Sequence, residues 1–200
     1  MMYPVMLNLE NKRIVVVGGG RIATKKILNL VEQKAKIIVV SPTLTEELQS
    51  FAQQKKIEWY PRYFVIEDVK GAFLVFAATD NREVNEQVKI SCAKDQLVNV
   101  IDEPSDSTFY NMAVFERGLL KIAISTEGAS PFLAKQIKAE LKGFFDDGYE
   151  EYLNFLLEAR IKIKELVLDE ETKRALLLEL VNEKYRNNVE DREQFFKGFR

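Results

Sequence analysis

Residues 13–26, RIVVVGGGRIATKK, constrain the fold more than any other stretch of this chain. The apolar run 14–17 reads as a buried strand, breaks into Gly18-Gly19-Gly20, and passes at once into a helical pattern. A chain builds a cradle for a dinucleotide pyrophosphate in this way. Gly18 permits the tight turn, Gly20 lets the backbone approach the phosphates, and small Ala23 lets the helix pack closely on the strand. The spacing is G-x-G-x-x-A. The first helical N–H groups, near Arg21 and Ile22, then point at the anion. Glycine triplets also occur in plain turns, so the motif draws its weight from context. A second β-rich run, residues 36–40, follows where a βαβ unit places it.

The first half continues to alternate. The patterns predict a helix over 22–32, with Ile22, Ala23, Ile27, Leu30 and Val31 as its apolar stripe. Ser41-Pro42 reads as an N-cap and first-turn proline of a helix running to about residue 54. Strands follow over 57–60, 73–77 and 98–101; the continuous apolar run 73–77 suits a central parallel strand covered on both faces. Asp80-x-x-Glu83 resembles a capping box, with Asp as a variant first residue, opening a third helix. The implied class is α/β, a Rossmann-like doubly wound parallel sheet.

The second half changes character. Runs 112–116 and 119–125 flank Arg117-Gly118 as a hairpin, and Ser130-Pro131 opens a helix ending near residue 145. From Tyr149 the chain is helical and charged, with Tyr152, Phe155, Leu156, Ala159, Ile163 and Leu166 on one stripe. Residues 176–181 anchor another helix. The tail NNVEDREQFFKGFR is polar with two aromatic clusters and is expected to be only partly ordered. These segments read as a small helical cap or an oligomerisation surface. The expected division is a dinucleotide-binding domain over 1–112, a dimerisation region over 113–147 and a C-terminal helical domain over 148–200.

Composition excludes several classes. The formal net charge of −2 gives no general attraction to nucleic acid or to a membrane surface. No apolar run is long enough to span a bilayer, and the N-terminus lacks the pattern of a secretory signal. Cys92 is the single cysteine, so no intrachain disulfide can form, and a cytoplasmic location fits. Cys92 itself reads as a small buried apolar residue of a helix. Histidine is absent, which excludes a Ser-His-Asp triad, an imidazole base and His-based zinc sites. No resident metal is expected. Acid–base chemistry must come from carboxylates, Lys, Tyr, Cys92 or a bound ligand.

The ends of the parallel strands carry the candidate chemistry. The ribose-binding position after the second strand reads Ser41-Pro42-Thr43: Ser41 and Thr43 can hydrogen-bond a ribose, while no carboxylate stands there to repel a 2′-phosphate. Spacing therefore leaves NAD and NADP open, and Ser41 has its capping role as an alternative. Ala77-Ala78-Thr79-Asp80 closes the fourth strand, where small residues let a flat ring lie against the strand end; Asp80 also suits a helix cap. Asp102 closes the fifth strand at the same edge and is the carboxylate best suited to proton transfer, or else a turn residue before Glu103-Pro104. The small-residue loop Ser125-Thr126-Glu127-Gly128-Ala129-Ser130 feeds a helix N-terminus that can take an acidic substrate group. Lys135 and Lys138 lie one and two turns along, as part of that site or as a solvated basic face.

Taken together the chain resembles the siroheme-synthase N-terminal family of precorrin-2 dehydrogenases, some members of which are also sirohydrochlorin ferrochelatases. The resemblance rests on Tyr3-Pro4 before a short strand, VVVGGGRIATKK with Lys26, AATD, NVID and STEGASP, in the family's order over about residues 3–140. It implies NAD-dependent oxidation of precorrin-2 to sirohydrochlorin, and a homodimer whose 113–147 region exchanges between subunits. The family's key aspartate falls on Asp102, and its cofactor contacts on the glycine loop with Arg21 and Ile22 and on Pro42 and Thr43. Its tetrapyrrole-facing loop falls on Ser125, Thr126, Gly128 and Ser130. Many members have a proline near Met112 and Arg where Lys135 stands; an ammonium lacks the bidentate fork of Arg. No methyltransferase domain follows in this sequence, so the resemblance implies a stand-alone form that receives precorrin-2 from another enzyme and leaves room for a separate chelatase. Two alternatives stay in view: a bifunctional enzyme that also inserts Fe²⁺, and a non-catalytic NAD-sensing module.

Overall fold

The computed structural model describes residues 2–198 and divides into two compact units, one up to Tyr110 and one from Asn111. The first holds a five-stranded sheet of β1 (Arg13–Val17), β2 (Lys36–Val40), β3 (Glu58–Tyr60), β4 (Leu74–Ala77) and β5 (Leu97–Val100). All are parallel, in the order β3-β2-β1-β4-β5. The strand order reverses at β1, so the crevice where ligands bind in such sheets opens at the carboxyl ends of β1 and β4. The β-branched runs are buried on both faces. One face packs Ile14, Val16, Leu74 and Phe76 against Ala23 and Ile27 of α1 (Arg21–Leu28) and Leu48 of α2 (Glu46–Gln53). The other packs Val15, Val17, Val75 and Val98 against Val88 of α3 (Arg82–Ser91). Between β3 and β4 the crossover carries only a short 3-10 turn, Ile66–Val69, within which buried Asp68 is gripped by Arg62.

The second unit opens with the antiparallel hairpin β6 (Ala113–Arg117) and β7 (Leu120–Ile124). It continues through α4 (Pro131–Phe144), α5 (Gly148–Glu165), α6 (Glu170–Glu179), α7 (Glu183–Asn187) and α8 (Val189–Lys197). Its core is aromatic. The Phe155 ring lies 5.5 Å from Tyr185, 5.9 Å from Phe195 and 5.4 Å from Phe196, and the Tyr152 hydroxyl donates to the Leu180 carbonyl at 2.9 Å.

Several sequence expectations are corrected. The first helix stops at Leu28 rather than at 32, because the chain turns through a 3-10 segment and a left-handed Lys34 to reach β2. Ser41-Pro42 opens no helix. Ser41 directly follows β2, its N–H donating to Tyr60 O and its carbonyl accepting from Trp59 Nε1; α2 starts only at Glu46, under a cap from Thr45 Oγ1. Asn81, not Asp80, caps α3, accepting from the N–H groups of Glu83 and Val84. Residues 3–9 form no strand, since no other strand pairs with them; Tyr3 and Met6 are exposed. The tail is helical through residue 197. Its α8 is anchored by buried Arg192, whose guanidinium donates to the carbonyls of Tyr185 and Arg186. The remainder of the tail motif, Phe199 and Arg200, lies outside the described residues.

Candidate functional site

The glycine loop is fixed by steric contacts that only glycine satisfies. Gly18 has φ +118°, and a Cβ there would stand 2.4 Å from the Ala78 carbonyl oxygen. A Cβ on Gly19 would stand 2.1 Å from the Thr43 carbonyl oxygen, so the loop also presses on the segment after β2. Thr45 N–H reaches back to Gly19 O at 3.0 Å, and the buried Thr24 hydroxyl lies 3.0 Å from Gly20 O and 2.8 Å from Thr45 Oγ1. Gly20 differs: nothing comes within 4 Å of its missing Cβ. It is the N-cap of α1 but offers no side-chain cap, and the first turn carries no acid. The first N–H groups of α1, at exposed Arg21 and Ile22, therefore stand without an intrahelical partner at the positive end of the helix. A dinucleotide pyrophosphate fits this donor set, and the open side of Gly20 admits it.

Beside the loop, Ser41 is buried and its Oγ would lie 2.9 Å from a Cβ on Gly19; Pro42 and Thr43 are exposed. On the neighbouring strand end, Arg62 donates to both carboxylate oxygens of Asp68, at 2.8 and 2.6 Å. Burial alone would raise the Asp68 carboxyl. The hydrogen bonds from Arg62 and from Val65 N–H, with the charges of Arg62 and Arg13, outweigh it and hold the carboxyl below its usual range.

At the ends of β4 and β5 the structure brings Thr79 and Asp102 together through a residue that the motif reading missed. Asn85, on α3 and 1% exposed, donates to Asp102 Oδ1 at 2.8 Å and accepts from Thr79 N–H at 3.1 Å. Its signal in the sequence is a polar residue on the apolar 85–88–92 face of a short helix. Asp102 is exposed, at the same carboxyl edge as the glycine loop, and Asp80 is exposed without a capping role. On the other side of the sheet Lys26 lies 5.7 Å from the Phe76 ring centre, and burial lowers its pKa. Burial pushes the Cys92 thiol up to about 11, and Sγ points at the Val88 carbonyl, so this cysteine is a packed, protonated group.

In the second unit the loop before α4 is built from its own turns. Ser125 Oγ accepts from Glu127 N–H, Thr126 Oγ1 from Ser130 N–H, and Ser130 Oγ from Leu133 N–H as the cap of α4, each at 3.1 Å. Glu127 and Gly128 both take positive φ, +47° and +87°. Ser125, Gly128 and Lys135 are exposed, and Lys135 Nζ sits 5.7 Å from the Phe132 ring centre. Among the described residues no cluster of three or more acidic or cysteine side chains could hold a metal ion.

A doubly wound sheet with a glycine loop opening at its topological switch point defines the dinucleotide-binding α/β class. Comparison with known proteins agrees and narrows it. An NAD(P)-binding family model matches residues 5–113, a sirohaem biosynthesis protein central model residues 117–143, and a SirC C-terminal domain model residues 149–195. The precorrin-2 dehydrogenase of Priestia megaterium is 37% identical over 196 residues, covering 98% of this chain and 97% of that protein. That of Bacillus subtilis (strain 168) is 32% identical over 161 residues, covering 80% and 99%. The solved structure of a SirC precorrin-2 dehydrogenase superposes with a TM-score of 0.89 at 36% identity, over 99% of this chain and 98% of that one. The chain belongs to the precorrin-2 dehydrogenase family.

Proposed function

We propose that this protein oxidises precorrin-2 to sirohydrochlorin with NAD⁺, a step of siroheme biosynthesis. The observation that carries the reading is a carboxylate, Asp102, held by a buried amide at the strand edge that also bears the open glycine cradle. When bound, the nicotinamide supplies the hydride acceptor. The loop Gly18-Gly19-Gly20 and the N–H groups of Arg21 and Ile22 would hold its pyrophosphate, Ser41, Pro42 and Thr43 would serve its ribose, and Thr79 and Asp80 would serve its ring. In the oxidation one C–H bond of the macrocycle gives up a hydride and a second hydrogen leaves as a proton, so NADH and H⁺ balance the two electrons lost. Asp102 accepts that proton. Ser125, Thr126, Gly128, Ser130 and Lys135 hold substrate carboxylates.

NAD is favoured over NADP because a 2′-phosphate needs a free cation, and Arg62, just past the end of β3, is committed to Asp68. The exposed apolar residues Phe132, Leu133 and Phe144 of α4 support a homodimer built on 113–147, between a cofactor domain over 1–112 and a helical domain over 148–200. No helix among the described residues is long and apolar enough to cross a membrane, and we place the protein in the cytoplasm, supplied by a methyltransferase and followed by a separate chelatase.

The test is incubation of the purified protein with precorrin-2 and either NAD⁺ or NADP⁺, followed by tetrapyrrole and NAD(P)H absorbance, and then addition of Fe²⁺. Sirohydrochlorin with stoichiometric NADH, and metallation no faster than in an enzyme-free control, is the expected result. Faster metallation would make the enzyme bifunctional. NAD⁺ binding without turnover would reduce it to a sensing module.

A further inference from the structure

We infer that Asn85 is a positioning residue: its carboxamide locks one oxygen of Asp102 and the end of β4 into one unit, leaving the other Asp102 oxygen for the reacting proton. The inference rests on the role proposed above for Asp102.

The orientation of the amide is determined by its partners. Thr79 N–H can only donate and lies 3.1 Å from Asn85 Oδ1; Thr79 O can only accept and lies 3.1 Å from Nδ2. A flipped amide would set donor against donor and acceptor against acceptor. Nδ2 therefore presents its second hydrogen to Asp102 Oδ1, at 2.8 Å. The Thr79 hydroxyl stands 2.7 Å from Asn85 Oδ1 and 2.9 Å from the Asn81 carbonyl, donating its one hydrogen to either. Asn85 is buried while Asp102 is exposed, so the fixed partner is the amide and the carboxylate is held by it. Among the described residues Asp102 Oδ2 accepts no hydrogen bond. The same Ala78-Thr79 backbone abuts Gly18, so the clamp spans from the glycine loop to Asp102. A general base needs its accepting oxygen placed within hydrogen-bond reach of the proton it takes, and a carboxylate free to rotate loses that placement.

Asn85→Ala is expected to lower kcat by about 10-fold or more, while the Kd for NAD⁺ and the KM for precorrin-2 stay within about twofold. Asn85→Asp keeps the shape and the acceptor for Thr79 N–H, loses the donor to Thr79 O and sets a carboxylate against Asp102; it is expected to lose at least as much kcat and serves as the second variant beside alanine. The deciding measurement repeats Asn85→Ala in an Asp102→Asn background, or in Asp102→Glu if the first is too slow to follow. Acting through Asp102, Asn85 should then cost less than about twofold. Equal losses in both backgrounds, or unchanged kcat in the single variants, would overturn the inference. Failure of the underlying reading looks different, because Asp102→Asn would itself keep full turnover.

Discussion

The two units solve the problem of holding a loop in opposite ways. In the sheet unit the glycine loop is held from outside: Gly18 abuts Ala78, Gly19 abuts Thr43, and buried Asn85 ties Thr79 to Asp102. In the helical unit the loop 125–130 is held by its own serine and threonine caps and a backbone bond from Ala129 N–H to Thr126 O, and is largely exposed. Their cores differ as well. The sheet packs β-branched residues on two faces, whereas the helices gather rings around Phe155. The contrast teaches that one loop is fixed sterically by its neighbours, whereas the other keeps its shape through its own turns.

The largest effect expected is on the aromatic core. Phe155→Ala should cost about 3–5 kcal/mol, read by thermal or urea unfolding. Loss of turnover with an unchanged near-ultraviolet signal would break the idea that Phe155 acts only through packing. Gly19→Ala comes next. Its Cβ meets backbone, which cannot give way cheaply, so about 1–3 kcal/mol should be lost from stability, from NAD⁺ affinity or from both, measured by unfolding and by titration. Gly128→Ala has open space and pays only for its positive φ, about 1 kcal/mol of stability, with NAD⁺ affinity unchanged. If the two glycines behaved alike, the contrast between the loops would fail.

Asp68 probes the sheet unit by pH. Its folded carboxyl lies below its unfolded value, so its stabilisation is present above the unfolded carboxylate pKa and is lost as pH falls through the folded one. Asp68→Asn should therefore destabilise at neutral pH, by about 1–3 kcal/mol, and converge with wild type in acid. The variant also frees Arg62 and should improve NADP⁺ binding relative to NAD⁺. The smallest effect is that of Lys135→Ala: stability should stay within about 0.5 kcal/mol while the KM for precorrin-2 rises a few-fold.

Much of the sheet unit was legible because buried parallel strands announce themselves as continuous β-branched runs; 14–17 and 73–77 fall on β1 and β4 to within a residue. The helix starts were less legible, since Ser41-Pro42 and Asp80 satisfy local capping rules equally well. Tertiary contacts decided otherwise: Trp59 and Tyr60 hold the Ser41 backbone just past β2, and Asn81 takes the cap. Nor could local pattern show that the charged tail orders itself, because Arg192 is buried against carbonyls supplied by α7. The place of Asp102 just past the end of β5 was readable from the strand pattern. Asn85 was not, because its meaning comes from Thr79 and Asp102, six and seventeen residues away.

The central claim is that the rigid edge carries the chemistry and Asp102 is its base. It is tested most directly by following NADH formation from precorrin-2 and NAD⁺ with Asp102→Asn, alongside the Kd for NAD⁺ and the unfolding curve. A fall in kcat of about 100-fold or more, with coenzyme affinity and fold retained, is the predicted result. Full turnover by that variant would contradict it.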